Sequence, residues 1–242
     1  MAFPPEFLEE LRRRLIVSLV AVGVATAVAF VFHNTILDWL ARPLPPGHRH
    51  VVAFGVTEPF SVSIAVSLYA GLLFALPVIL WQLWSFLAPA LDPAAERRIL
   101  CLALFGLVLG AAGLAFGYGV LLPRAVHFLT NYDTSHFKIL IRASSYYSFV
   151  VSVLLGVVCV FETPLVVLAL VNLGVLSSAG LRRNRRKGYF VVSVLALALP
   201  GPDPVTTLLE LLPMLALFEG SIWLAVFAER RAAKLSVIAA QA

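Results

Sequence analysis

Two glutamates lie inside long apolar segments, where an acidic side chain is costly. Glu162 has nineteen uncharged residues on either side, and Glu219 lies in a later apolar segment. An acid at the bilayer centre costs about 2.5–3.5 kcal/mol on insertion scales, so it usually faces a polar interior and has a function. The alternative for either residue is an acid that only ties neighbouring helices together. We favour function for Glu162, and we expect Pro164 to kink its helix nearby.

A second group of charges lies near the start of the chain and at position 96. Glu9 and Glu10 precede Arg13 and Arg14 by four residues each, a spacing that stabilises a helix by about 0.2–0.5 kcal/mol per pair. Glu96 could simply cap the N-terminus of a helix. Two carboxylates on neighbouring segments could, however, hold two guanidinium groups by bidentate hydrogen bonds, which lysine cannot form.

Other kinds of chemistry find no support in the sequence. There is no Ser-His-Asp, HExxH, P-loop or paired catalytic-acid pattern, so nothing indicates an enzyme. The histidines lack metal-ligand spacing, and Cys101 and Cys159 lie in apolar segments, where cysteine behaves as a small hydrophobic residue. We expect no catalytic residue, no metal and no cofactor.

The composition indicates the class of protein that must position these residues. Of 242 residues, 61% are hydrophobic and only 13% are charged. Globular proteins are nearer 25% charged, so this composition excludes soluble, disordered and collagenous chains and predicts a membrane protein. The net charge of +5 is better explained by loop charges that set orientation than by nucleic-acid binding, so we expect no nucleic-acid partner.

The apolar segments predict a single integral membrane domain, 1–242, with six spanning helices. Their expected positions are about 15–37, 60–84, 97–122, 145–171, 188–199 and 205–228. We expect Pro123 to end the third helix. The fifth segment is about 18 Å long, too short for a hydrocarbon core of about 30 Å. Either it ends at mid-depth with the turn at 200–204 sheltered in the membrane, or the bilayer thins there.

The distribution of basic residues predicts the orientation of the chain. Thirteen of the eighteen lysines and arginines lie in the N-terminal segment, directly after the loop 85–96 (Arg97 and Arg98), in the loop 173–187, or in the tail. The positive-inside rule places these segments and both termini in the cytoplasm. The basic run 182–187 is most simply a topology anchor at the anionic leaflet. Loops 38–59 and 123–143 should form a short-helical cap on the opposite, periplasmic side.

Small residues and prolines supply structural signals. A stripe of glycines at i, i+4, i+7 and i+11 on the third helix lets another helix approach closely, and packing within the chain is favoured over dimerisation. The glycines are Gly106, Gly110, Gly113 and Gly117. We assign structural roles also to Pro43, Pro77, Pro89, Pro123 and Pro164.

Taken in order, these motifs resemble the TatC family, the multispanning subunits of the twin-arginine protein translocase. The N-terminal FLEELRRRL at 7–15 is similar to the family's HLxELRxRL. PVILWQLWSFLAPAL at 77–91, followed by ERR at 96–98, is similar to its first cytoplasmic loop. Further matches are FGY at 116–118 with Pro123, SYYSF at 145–149, FETP at 161–164, PDP at 202–204 and LFE at 217–219. Each match is weak alone, but the ordered set on six spans is specific.

The resemblance implies a concave, glove-shaped, all-α bundle of six helices, with helices five and six short. It implies a receptor in the cytoplasmic (inner) membrane for twin-arginine signal peptides of folded proteins. TatA- and TatB-like single-span subunits would be partners in homo- and hetero-oligomers, and the proton gradient would drive export. By residue matching, Glu10 and Glu96 would hold the guanidinium groups with Arg14 and Phe86 nearby, and Glu162 would face the concave pocket.

The chain departs from the family pattern at several positions. Phe7 replaces a histidine, residues 200–203 read Pro-Gly-Pro-Asp, Thr207 replaces a glutamine, and Glu210 occupies a position that is usually apolar. These changes leave the local chemistry near helices five and six open.

One alternative function remains open from the residues alone. A proton-coupled small-molecule transporter could use Glu162 as a relay. Transporters of that kind tend to contain inverted repeats, and the two halves of this chain are dissimilar.

Overall fold

The computed structural model describes residues 5–45, 51–87, 96–132, 140–198 and 204–239. Within these ranges the regular structure is helical, so the predicted all-α membrane fold is confirmed. The helices are α1 (Pro5–Val31), α2 (His33–Ala41), α3 (Glu58–Leu87), α4 (Glu96–Phe116), α5 (Leu122–Asn131), α6 (Ala143–Phe161), α7 (Thr163–Asn172), α8 (Ser178–Arg183), α9 (Arg185–Ala198) and α10 (Pro204–Ala239).

Five helical segments in the described ranges are long and apolar enough to cross a membrane. They are Leu8–Val31, Glu58–Phe86, Leu100–Asn131, Ala143–Val171 and Pro204–Phe227. The α9 helix has 14 residues. At 1.5 Å per residue it is about 21 Å long, shorter than a hydrocarbon core.

Helix boundaries differ from the sequence prediction at the first and third spans. The α1 helix ends at Val31, because the backbone of Phe32 leaves helical geometry (φ −100°, ψ 15°) before α2 begins. The prediction that Pro123 ends the third span is wrong. A π-helical turn, Gly117–Leu121, leads directly into α5, which continues to Asn131. The Leu122 N–H bonds the Gly117 carbonyl, five residues back, so Pro123, which has no N–H to donate, follows a turn that is already wider than an α-helical one.

The last helix was expected to be short, and that expectation is wrong. The α10 helix extends over 36 residues, from Pro204 to Ala239. The sequence after Gly220 contains no further glycine or proline and is rich in alanine, the residue that most favours helix. The helix therefore continues past the end of its apolar segment at Phe227.

The helix of the fourth predicted span is interrupted near Glu162, where the sequence predicted a kink from Pro164. The α6 helix ends at Phe161 and α7 begins at Thr163, with Pro164 in the first turn of α7. The break falls at Glu162, whose backbone has φ −77° and ψ −6°. Pro164 has no N–H to donate to the preceding turn, which explains why the helix is interrupted here.

The largest buried cluster lies where α2, α3, α5 and α6 meet. Leu121, Leu122, Val150 and Val153 are fully buried in it. By contrast, α1 packs mainly along α3 and buries only 6% of its most apolar window. A Cβ on Gly71 of α3 would lie 2.6 Å from the Cα of Thr26, so the two backbones meet closely there. The remainder of α1 presents apolar side chains outward, as a lipid-facing helix does.

Three tyrosines attach α2 to the bundle. The hydroxyl of Tyr118 donates to the Trp39 carbonyl at 2.8 Å, and that of Tyr146 donates to the Leu40 carbonyl at 2.7 Å. Tyr147 donates to the Leu37 carbonyl at 3.3 Å. The Tyr146 bond satisfies the carbonyl of Leu40, one of the last four carbonyls of α2, which the regular i→i−4 pattern leaves without a partner. The Trp39 carbonyl also accepts the Arg42 N–H at 3.2 Å.

A buried carboxylate joins the segment before α3 to the start of α6. Glu58 is 7% exposed and accepts hydrogen bonds from the Phe54 N–H at 2.8 Å and the Ser144 N–H at 3.1 Å. The Arg142 Nε donates to it at 2.9 Å. Val52 pairs with Arg142 in an isolated parallel β-bridge beside this ion pair. This anchor was not predicted, because Glu58 and Arg142 are 84 residues apart in the sequence.

Candidate functional site

The first candidate site lies at the N-terminal end of α1, where Arg14 connects two helices. Its guanidinium bonds Glu10 Oε1 through Nη2 at 2.6 Å and through Nε at 3.1 Å. Its Nη1 reaches across to α3, to the Gln82 carbonyl at 3.5 Å and the Gln82 side-chain oxygen at 3.4 Å. Arg14 therefore holds the α1 carboxylate and the α3 amide in one network.

These residues line a groove between α1 and α3. Glu10, Arg13, Arg14, Val17 and Gln82 form its walls. The Arg14 side chain is 22% exposed and that of Glu10 is 41% exposed, so the arginine is the more sheltered partner. Among the bonds between described residues, both that Arg14 donates to Glu10 are accepted by Oε1, and none is accepted by Oε2. A further donor can therefore approach this carboxylate from the groove.

The structure gives less detail for Phe86 and Glu96, the other two predicted residues of this site. Phe86 lies on α3 one turn after Gln82 and is half-buried. Glu96 is the first residue of α4, but its side chain, like Pro89, lies outside the described residues. Gln82 was not predicted as a site residue. It is the one side-chain amide between residues 60 and 91, and that isolation in an apolar segment was the available signal.

Glu162 lies at the break between α6 and α7 and is 8% exposed. Within the described ranges, neither of its carboxylate oxygens has a hydrogen-bond partner. An unpaired polar group costs about 1–3 kcal/mol when it is buried, and more when it is charged. The position of Glu162 is therefore held by the surrounding packing rather than by polar contacts.

The glycine stripe of α4 explains how that carboxyl fits. A Cβ on Gly110 would lie 3.1 Å from Glu162 Oε1, and one on Gly106 would lie 3.2 Å from Oε2. Further along, Gly113 faces the Phe161 ring and Gly117 faces Leu154, both on α6. The stripe therefore faces α6 and α7 of the same chain. We name the surface formed by Gly106 and Gly110 against Glu162 the glycine slot.

Glu219 occupies a different environment, between α9 and α10. Its carboxylate accepts a hydrogen bond from the Tyr189 hydroxyl and pairs with Arg185 Nη2 at 3.4 Å. A Cβ on Gly188 would lie 2.7 Å from Phe218 Cε1, so α9 and α10 approach closely beside this cluster. Arg185 belongs to the basic run 182–187. One member of that run therefore also joins two helices.

The structural prolines have distinct places. Pro77 lies inside α3, while Pro123 and Pro164 lie in the first turns of α5 and α7. Pro43 lies in the turn after α2. The predicted turn at 200–203 lies outside the described part of the chain.

Among the residues that are described, no three His, Cys, Asp or Glu side chains are grouped so that they could hold a metal ion.

Comparisons with known proteins identify the family. The chain matches the family model of the Sec-independent protein translocase protein (TatC) over residues 6–213. It is 37% identical over 225 residues to TatCd of Bacillus subtilis (strain 168), which covers 93% of this chain and 91% of the relative. It is 33% identical to TatC of Aquifex aeolicus (strain VF5), over 93% of this chain and 95% of that protein.

A solved structure agrees with this relationship. The crystal structure of the "Twin Arginine Translocase Receptor- TatC in DDM" superposes with a TM-score of 0.80 at 31% sequence identity, covering 90% of this chain and 99% of that one. The sequence match and the fold match cover nearly the same extent of the chain. The chain belongs to the TatC family of Sec-independent protein translocase proteins.

Proposed function

We propose that this protein is the receptor subunit of a twin-arginine translocase. It binds the paired arginines of signal peptides on folded cargo, and export of that cargo is driven by the proton gradient. Family membership supports a protein-transport role over a small-molecule transporter. The observation that carries the binding proposal is the groove at Glu10, where a partly exposed carboxylate lies beside Arg14 and Gln82.

Selective capture requires more than exposed ion pairs. Pairs in solvent contribute only about 0.2–1 kcal/mol each. The groove offers partial shelter, since the Arg14 side chain is 22% exposed and Val17 forms one wall. Apolar residues of the signal peptide would add buried area along α1 and α3. Binding is then the sum of a sheltered polar contact and apolar burial.

The preference for arginine over lysine follows from hydrogen-bond geometry. A guanidinium can donate two parallel hydrogen bonds to one carboxylate, whereas an ammonium is a point charge. In this proposal, Glu10 receives one arginine of the pair and Glu96 receives the other. Phe86 would pack beside the bound arginines.

The test compares peptide binding to the full chain and its variants in detergent. Glu10→Gln should weaken binding of an RR signal peptide about tenfold, or about 1.4 kcal/mol. It should affect a KK version much less, because lysine gains less from the carboxylate. Fluorescence anisotropy with labelled peptides measures both affinities.

Glu9→Gln is the matched control. Glu9 is the adjacent, exposed acid and does not line the groove. Equal RR affinities for the parent and Glu10→Gln proteins would refute the assignment of Glu10.

In cells, deletion of the protein should strand RR-bearing precursors in the cytoplasm, and their normal export would refute the receptor function.

We further propose that both termini lie in the cytoplasm and that single-span TatA- and TatB-like subunits assemble with this chain. The short α9 helix offers a thin edge of the bundle where the polar group of a partner could enter. Photo-crosslinkers placed on the exposed residues Phe190 and Leu197 of α9 should trap such a subunit. Crosslinks that only ever capture lipid would contradict this placement.

A further inference from the structure

The outer surface of α10 contains a groove that the receptor function does not use. Gly220, Trp223, Leu224, Val226, Phe227 and Arg230 line it. Trp223 and Phe227 are each 66% exposed. A Cβ on Gly220 would meet nothing within 4 Å, so the groove is open at that end. We propose that this groove binds one anionic phospholipid, with its phosphate on Arg230 and an acyl chain along Trp223 and Phe227.

The position of the groove along α10 matches the level of lipid headgroups. The apolar spanning segment ends at Phe227, so Arg230 lies about one turn beyond it. Trp223 lies one turn before that end, where tryptophan is enriched in membrane proteins because its ring is amphipathic. From Gly220 to Arg230 the helix rises about 15 Å, roughly half of a 30 Å hydrocarbon core. The groove therefore spans the acyl depth of one leaflet.

Arg230 is exposed, so its guanidinium can be reached from outside the bundle. In the described part of the chain Arg230 makes no ion pair, although Glu229 is its neighbour in sequence. The Glu229 carboxylate is engaged elsewhere, since it accepts hydrogen bonds from the N–H and the hydroxyl of Ser178 on α8. A guanidinium next to a lipid-facing aromatic groove is complementary to a phosphodiester, to which it can donate two hydrogen bonds.

The test uses the tryptophan as the reporter. The full chain is reconstituted in phosphatidylcholine vesicles that contain either brominated phosphatidylglycerol or brominated phosphatidylcholine. The difference between the parent and Trp223→Phe isolates the quenching of Trp223 from that of the other three tryptophans. We expect brominated phosphatidylglycerol to reach half-maximal quenching of Trp223 at about a fivefold lower mole fraction than brominated phosphatidylcholine does.

Substitutions of Arg230 test whether its guanidinium binds the lipid phosphate. Arg230→Gln should bring the two brominated lipids to equal quenching, while Arg230→Lys should keep most of the preference. Arg42→Gln, an exposed arginine in the turn after α2, is the matched control and should keep the full preference. Equal quenching by both lipids in the parent, or an undiminished preference in Arg230→Gln, would overturn the proposal.

Discussion

At the scale of single residues, Glu162 is constrained by what lies opposite it. Its carboxyl is buried without a hydrogen-bond partner in the described residues and contacts the backbone surface of α4 at two glycines. The sequence could predict the acid and the glycines separately, because an isolated charge and a regular spacing are both visible in one chain. Their meeting in the glycine slot could not be predicted, because it depends on how α4 packs against the break between α6 and α7.

The glycine slot predicts a specific sensitivity to added volume. In Gly110→Ala the new methyl group would lie 2.7 Å from Leu76 Cδ2 and 3.1 Å from Glu162 Oε1. Overpacking of this kind costs about 1–3 kcal/mol, so the melting temperature in detergent should fall by several degrees. Gly23→Ala is the control, since a Cβ there meets nothing within 4 Å. A Gly110→Ala protein as stable as the control would show that the slot is not tightly packed.

At the scale of elements, the contacts that fix α2 are hydrogen bonds from tyrosines distant in sequence. The motifs at 116–118 and 145–149 could be recognised, but not the carbonyls that their hydroxyls reach. The same holds for Glu58 and Arg142, which are 84 residues apart. Periodicity predicts which segments are helices, whereas such long-range pairs depend on the tertiary arrangement and leave no local pattern.

The attachment of α2 predicts the effect of removing one hydroxyl. Tyr146→Phe would leave the buried Leu40 carbonyl without its donor, at a cost of about 1–3 kcal/mol. Thermal unfolding in detergent should shift to lower temperature, and limited proteolysis should cleave near α2 more rapidly. Tyr132→Phe removes a hydroxyl from a residue that is 68% exposed and should change neither result. Identical behaviour of the two variants would mean that the Tyr146 hydrogen bond contributes nothing.

The junction of α8 and α10 predicts a pH dependence. The hydroxyl and the N–H of Ser178 donate to the Glu229 carboxylate and hold the pKa of Glu229 below its usual range. A carboxyl with a lowered pKa in the folded state stabilises the protein above its unfolded pKa, about 4.3, and loses that contribution as the pH falls. Glu229→Gln should therefore lower the melting temperature by about 2–4 °C at pH 7.

The same comparison at low pH supplies the control. As the pH falls through the lowered pKa of Glu229, the parent carboxylate takes up a proton, so the melting temperatures of the parent and Glu229→Gln should converge. Glu9→Gln, at an exposed position, should have little effect at either pH. A difference between the parent and Glu229→Gln that stays constant from pH 7 to pH 3 would contradict the role of the ionised carboxylate.

At the scale of the whole molecule, the asymmetry of basic residues predicts how the chain lies in the membrane. Two exposed arginines can test the proposed orientation, which puts Arg42, after α2, on the periplasmic side and Arg186, in the basic run, on the cytoplasmic side. In intact cells, a membrane-impermeant maleimide should label Arg42→Cys. It should label Arg186→Cys only after lysis. The reverse pattern would overturn the proposed orientation.

The extent of the fold that could be predicted also depends on scale. Apolar length and charge predicted the membrane class and most of the spanning segments, because bilayer thickness constrains them directly. The continuation through Pro123 and the length of α10 were missed. Pro123 and the polar continuation of α10 both resemble helix ends in the sequence, although the helix continues through each of them.

The close contact between Gly71 and Thr26 has a mechanical consequence for the groove. Arg14 lies twelve residues before Thr26, about 18 Å along α1. If that contact acts as a fulcrum, a tilt of α1 by about 10° swings the Arg14 end by about 3 Å, enough to break its bonds to Gln82. In the proposed receptor, the close packing at Gly71 would therefore set the distance between α1 and α3 at the groove that receives the signal peptide.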